Sequence, residues 1–124
     1  MVFVSSVSVW SDDDHLPAVC SNLRHYLDAG GRVALGTDAP AFQEPGLPAK
    51  EITRLIDCGL SSMEVLVAAT SSAAHYVGKG NELVTIRAGF LADLLVVDGD
   101  PLANLSALSR VGTVILDGEV VTRP

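Results

Sequence analysis

Apolar and polar positions divide this chain into a front section of mixed helical and strand periods and a rear section in which strand periods dominate. Val2 to Val9 alternates apolar and small polar residues after its first three, which predicts a strand. Leu16, Val19, Cys20, Leu23 and Leu27 then fall at i, i+3, i+4, i+7 and i+11, one face of an amphipathic helix over 17–29. Pro17 suits its first turn and Gly30-Gly31 its end. A strand over 32–37 follows at once, so the first three elements read as a βαβ unit. That strand is the centre of the pattern. Val33-Ala34-Leu35 is apolar, the run breaks at Gly36-Thr37-Asp38, and the chain turns at Pro40. In parallel α/β folds the C-terminal ends of the strands are where ligands bind.

Beyond the loop 41–48, Ile52, Leu55 and Ile56 mark one face of a helix from Ala49 to Cys58, stopped by Gly59. Ser61-Ser62-Met63-Glu64 is a capping box, Ser oxygen and Glu each reaching the other's backbone amide. The helix it opens, Met63 to Ala69, is apolar almost all round and is expected to be buried. Thr70 can cap a further helix, Ser71 to Val77, closed by Gly78. From Asn81 the period is that of strands: Leu83 to Ile86 is a short one and Leu91 to Val97 a strong one, stopped by Asp98-Gly99-Asp100-Pro101. Leu102 to Leu108 reads as a helical turn. Val111 to Leu116 and Glu119 to Thr122 flank Asp117-Gly118, a two-residue hairpin signal. The chain is therefore α/β, with a change of character near 78–81.

Composition sharpens this picture in three ways. Apolar residues make up 48% of the chain and the mean hydropathy is +0.38. That is rich for 124 residues and implies more interior than the chain can cover, hence a larger body, self-association or a complementing chain. The net charge of −7 comes with no basic cluster, which argues against nucleic acid and against an anionic membrane surface. Cys20 and Cys58 match no ligand spacing and are expected to be free buried thiols, which points to a reducing, cytoplasmic compartment. Met1 to Trp10 is apolar but lacks a basic flank and runs into Asp12-Asp13-Asp14, so it does not read as a signal peptide, and no run reaches the roughly 18 residues of a membrane span.

Candidate chemistry narrows to one residue. A carboxylate at the end of a strand, Asp38, can bind a metal, act as a general base or cap a helix, and its residue type alone leaves these open. His15, His25 and His75 form no ligand pair and read as surface or structural histidines. The acidic run 12–14 reads as a solvated loop favoured by a helix N-terminus. Asp93, Asp98, Asp100 and Asp117 fall where strands end or turn, and turn chemistry explains them. Gly78-Lys79-Gly80 is a helix-ending turn before it is a phosphate cradle. No nucleophile elbow, Walker loop or dinucleotide fingerprint occurs.

Taken in order, Asn22-Leu23-Arg24, Asp28-Ala29-Gly30, Val33 through Pro40, Gly59 through Leu66, Ala68 through Ala74, Gly89 through Leu102 and Val114 through Val121 form a set. This set resembles the C-terminal part of the metal-dependent amidohydrolase superfamily, in its imidazolonepropionase-like branch, over about residues 20 to 124. The resemblance implies the last strands and helices of a (β/α)8 TIM barrel, with strands seven and eight in residues 1–80. The C-terminal strands of a small β-sandwich domain would occupy 81–124. It also implies hydrolysis of a C–N bond, in a non-peptide or cyclic amide, by metal-activated water. In the family, the aspartate after strand eight binds the metal and handles the proton of the attacking water, and that role maps onto Asp38. The metal implied is a divalent cation, zinc, in the intact enzyme, and the substrate a small amide-type molecule. Gly36 would let the backbone approach the site, and Thr37 would orient the carboxylate.

The family also needs an H-x-H pair on strand one, a ligand on strand four and histidines on strands five and six, and this chain has none of them. Ala88 stands where a Pro is usual, and Phe90 where a Lys is common. A catalytic metal site takes about three protein ligands, and Asp38 is one. The expectation is thus a C-terminal portion that is inactive as this chain alone. The alternatives are a non-catalytic module completed by a partner chain that brings the missing strands, and a small α/β ligand-binding domain in which Asp38 is a helix cap.

Overall fold

The computed structural model describes residues 1–10, 14–39 and 46–121. Strand β1 (Val2–Ser5) leads into a one-turn helix α1 (Val7–Trp10), then helix α2 (Leu16–Asp28) and strand β2 (Arg32–Leu35). β1 and β2 pair in parallel with Val2 opposite Arg32 and Ser5 opposite Leu35, so the βαβ reading holds. The first strand is shorter than its alternating pattern predicts. After Ser5 the backbone turns into α1, because the amides of Val7 and Ser8 go to a side chain instead of a neighbouring strand. Helix α2 presents the predicted stripe inward: Leu23 is buried, and Leu16, Val19, Cys20 and Leu27 pack beside it.

Helix α3 (Ala49–Asp57) is turned relative to its expected face. Ile52 and Leu55 are buried as predicted, but Ile56 is exposed, and Glu51 and Cys58 take the inner positions. Residues 51, 55 and 58 are spaced i, i+4 and i+7, one stripe of a helix that puts a carboxylate among apolar groups. Helix α4 (Ser62–Ala69) opens with the predicted capping box, Ser61 Oγ accepting from the Glu64 amide at 3.3 Å and Glu64 Oε2 from the Ser61 amide at 2.8 Å. It is not buried all round: Val65 and Ala68 face the core, and Met63 and Val67 face solvent. Thr70 does not cap helix α5 (Ser71–Tyr76) with its side chain but donates back to the Leu66 carbonyl at 2.6 Å. The core is built from Val7, Leu23, Val33, Ile52, Leu55, Leu60, Val65 and Ala68. Burial of such side chains stabilises by about 1.5–3 kcal/mol each.

The rear section forms a separate antiparallel sheet of β3 (Leu94–Val97), β4 (Val111–Leu116) and β5 (Glu119–Val121), in that order. The hairpin turns where expected, with Asp117 at φ 50° and Gly118 at φ 82°, the left-handed pair of a type I′ turn. Residues 83–86 are not a strand. Val84 lies at φ 63°, and the segment bends back so that the Leu91 amide reaches the Glu82 carbonyl. The strand predicted from Leu91 is ordered as one only from Leu94. The helical turn predicted over 102–108 is a 3-10 turn over Leu105–Ser109, and its Leu105 and Leu108 pack on the front core. Thr122, predicted to end the last strand, and Asp12 and Asp13 of the acidic run lie outside the described residues.

The two cysteines are not free. Cys20 on α2 and Cys58 at the end of α3 form a disulfide, closing 38 residues of sequence. Each sits on the inner face of its helix, and both helices face the same core, which brings the sulfurs together. The compartment argument built on free thiols is thereby lost. Among the described residues, no helix is long and apolar enough to cross a membrane.

Two outcomes follow from these contacts. A link across 38 residues restricts the unfolded chain by roughly 3–4 kcal/mol. Thiol titration in denaturant without reductant should therefore find no free thiol, and dithiothreitol should lower the urea midpoint correspondingly. Glu64 has its carboxyl held below the usual 4.5, first by the Ser61 amide, then by the Ser61 hydroxyl and by Arg24, which lies 3.1 Å away. A lowered folded-state pKa stabilises above the unfolded value, and that share is lost as pH falls through the folded one. Glu64→Gln should cost about 0.5–1 kcal/mol at pH 7, a half-exposed group being screened, and close to nothing near pH 3, read from urea midpoints at the two pH values.

Candidate functional site

The residues that follow β2 form the candidate site. Gly36 continues the ladder, its amide donating to the Ser5 carbonyl at 2.8 Å. A Cβ at Gly36 would stand 2.6 Å from Val4 Cγ1 and 2.8 Å from Ser5 O, so only glycine lets the two strand ends come this close. The close approach that Gly36 makes here is to β1, not the approach to a site that the resemblance implies. Thr37 Oγ1 accepts the Ala39 amide at 3.2 Å, a local turn around Asp38. Asp38 itself is exposed and lies at φ 51°, a left-handed conformation that aspartate tolerates better than most residues. The backbone thus turns sharply and leaves the Asp38 carboxylate in solvent at the C-terminal end of a parallel strand.

Beneath this turn is a cluster that residue patterning does not reveal. Glu51 on α3 has no exposed surface. Its Oε1 accepts from the Ser5 hydroxyl and from the Val7 amide at 3.0 Å, and its Oε2 accepts from the Ser8 amide at 2.7 Å. Ser5, Val7 and Ser8 are themselves buried. A buried charge is tolerated only when hydrogen bonds satisfy it, and three donors converge on this one. The signal available in sequence was its position: residue 51 lies in the stripe of Leu55 and Cys58, where a charge is out of place.

The other acidic and basic candidates are accounted for by local structure. Asp93 Oδ1 accepts the Asp117 amide at 2.8 Å, and Asp100 Oδ1 accepts the Leu102 amide at 2.8 Å, as turn chemistry requires. Lys79 ends α5, its amide returning to the Ala74 carbonyl, and its ammonium pairs with Glu82 at 2.7 Å. His15, His25 and His75 are exposed and far apart in sequence. Among the described residues, no three His, Cys, Asp or Glu side chains gather closely enough to hold a metal ion. One exposed carboxylate suits one position around a divalent cation and leaves the remaining positions to other residues. A cavity of about 370 Å³ opens between β1 and α2, lined by Phe3, Val7, Val19, Asn22, Leu23 and Tyr26. Among the described residues its lining carries no carboxylate or imidazole.

Comparison with known proteins agrees with this geometry. The model of the Amidohydrolase family matches residues 4–121, which brings β1 into the resemblance along with everything after residue 20. The imidazolonepropionase of Chloroflexus aggregans is 36% identical over 121 residues, covering 86% of this chain and 28% of that protein. That of Shouchella clausii is 34% identical over 106 residues, covering 82% of this chain and 24% of that protein. Among solved structures, a Xaa-Pro dipeptidase with bound methionine in its active site superposes with a TM-score of 0.75 at 32% identity, over 86% of this chain and 26% of the other. A putative prolidase from Bifidobacterium longum gives a TM-score of 0.79 at 27% identity, over 99% of this chain and 35% of the other. The chain spans about a quarter of the length of the curated relatives it matches. With nearly all of its length matched by the family model, this chain belongs to the amidohydrolase family, in its imidazolonepropionase-like branch.

Proposed function

We propose that this chain is the C-terminal part of a metal-dependent amidohydrolase that cleaves a C–N bond in a small amide or cyclic amide. In this reading residues 1–80 hold strands seven and eight of a (β/α)8 barrel with their covering helices, and residues 81–124 hold the last strands of a β-sandwich. The observation that carries it is the place of Asp38: an exposed carboxylate in a sharp turn at the C-terminal end of parallel β2. A divalent metal, zinc by the family resemblance, lowers the pKa of bound water toward about 7. With such a metal held, Asp38 would contribute one ligand oxygen and would be placed to take the proton of an attacking water and return it to the leaving amine. Gly36 and the Thr37 turn set the direction from which the carboxylate can do so.

The exposed apolar surface supports a chain that is completed by further structure. A compact monomer of 12.9 kDa exposes about 6,300 Å², whereas this chain exposes 8002 Å². Leu95, Val96, Leu116 and Val120 are half or more exposed in the rear sheet, and β1 and β2 pair only with each other among the described residues. Unpaired strand edges of this kind invite further strands. The same observation favours a second reading, in which a separate partner chain brings the missing strands and this chain is a non-catalytic module.

Purified alone, the chain should bind zinc far below one equivalent and show no amide hydrolysis. Stoichiometric zinc with turnover would overturn the proposal that the site needs residues from elsewhere. An in-frame continuation upstream of Met1 encoding an H-x-H pair favours one long polypeptide, and co-purification with a second protein carrying it favours the partner. In whichever assembly is active, Asp38→Asn should lower kcat by about 10²–10⁴-fold, and unchanged turnover would remove Asp38 from the mechanism.

A further inference from the structure

We propose that Glu51 is a positioning residue: it holds Ser5, the last residue of β1, against which the Gly36 amide just before Asp38 is set. This rests on the reading of Asp38 as the site carboxylate. The geometry centres on Ser5, the last residue of β1. Its carbonyl accepts the Gly36 amide at 2.8 Å, which fixes the start of the segment that runs on through Asp38. Its hydroxyl donates to Glu51, which holds Ser5 in place. Asp38 stands two positions past the Gly36 amide.

The chemistry of Glu51 suits this role and no direct one. It has no exposed surface and both its oxygens accept hydrogen bonds, so it touches neither solvent nor substrate. Nor is stability a reason for a charge at this position, since an apolar residue of like volume in place of a buried, paired charge is often neutral or stabilising. A carboxylate does what an apolar side chain cannot. Its two oxygens take donors 43 to 46 residues away in sequence, and that fixes α3 in both distance and rotation against β1 and α1. Gly36 completes the fit, because any Cβ there would push the second strand end off Val4 and Ser5. The position of the Asp38 carboxylate therefore depends on a side chain thirteen residues further along that never reaches the site.

The test is amide NMR on the 124-residue chain, comparing wild type, Glu51→Gln and Ser5→Ala. Glu51→Gln keeps the length of the side chain but loses one acceptor oxygen. Ser5→Ala removes only the hydroxyl and keeps the carbonyl. In both variants the native-state shifts of Asp38 and Ala39 should move, and hydrogen exchange at the Gly36 amide should rise about tenfold or more beyond any rise at the Val65 amide of α4. A residue that only adds stability would leave native-state shifts in place and raise exchange at Gly36 and Val65 together. Either that result, or unchanged exchange at Gly36, overturns the proposal. If Glu51→Gln gives no dispersed spectrum, Ser5→Ala is read alone against the same criteria. None of these readouts involves a metal or turnover. A failure of the Asp38 reading, seen as activity that survives Asp38→Asn, is therefore distinguishable from a failure of the positioning role of Glu51.

Discussion

A carboxylate with no exposed surface, Glu51, joins the three elements on which the front of this protein depends. It accepts from the end of β1 and from the first amides of α1, and it is carried by α3. Isolated in an apolar interior such a group would cost several kcal/mol, and three donors offset that cost. The chain leaves β1 after Ser5 and enters α1 with its first amides on this carboxylate, and the same hydrogen bonds hold α3 against β1 and α1.

Around that set the packing is conventional. Leu23, Val33, Leu55 and Val65 fill the space between the strand pair and its helices, and the Cys20–Cys58 bond ties two of those helices together. The capping box at Ser61 fixes where α4 begins, and Arg24 on α2 reaches across to Glu64, so the cap is also a contact between helices. Asp38 stands outside this core, beyond a glycine that lets two strand ends meet and in a turn closed by Thr37. Asp38 is thus an exposed carboxylate just past the C-terminal end of a parallel strand, the end at which ligands bind in α/β folds. The apolar edges and faces left open elsewhere agree with a chain that covers about a quarter of the length of its curated relatives.

The elements whose information is local were legible in the residues. The stripe from Leu16 to Leu27, the Ser61–Glu64 box and the Asp117-Gly118 turn each need only a few neighbouring positions, and each is present where its pattern lies. The position of Asp38 just past a strand was legible for the same reason, as the first carboxylate after an apolar run. Errors came where partners are distant. Val2 to Val9 carries a strand pattern throughout, yet Val7 and Ser8 are helical because their amides meet a side chain 43 and 44 positions later. Leu83 to Ile86 is apolar enough for a strand but pairs with no strand among the described residues, and it bends. Cys20 and Cys58 satisfy no local rule, and only the convergence of α2 and α3 on one core makes them a pair.

By itself the sequence determined the order and type of most elements and the family, because periodicity, caps and turn residues act over a turn or two of chain, and it singled out one carboxylate at a strand end as the candidate for chemistry. Only the tertiary structure decided which carboxylate is buried and which cysteines join. Those depend on groups that approach each other from 38 to 46 residues apart. No rule of spacing along a chain encodes the distance between two side chains after the chain has folded back on itself.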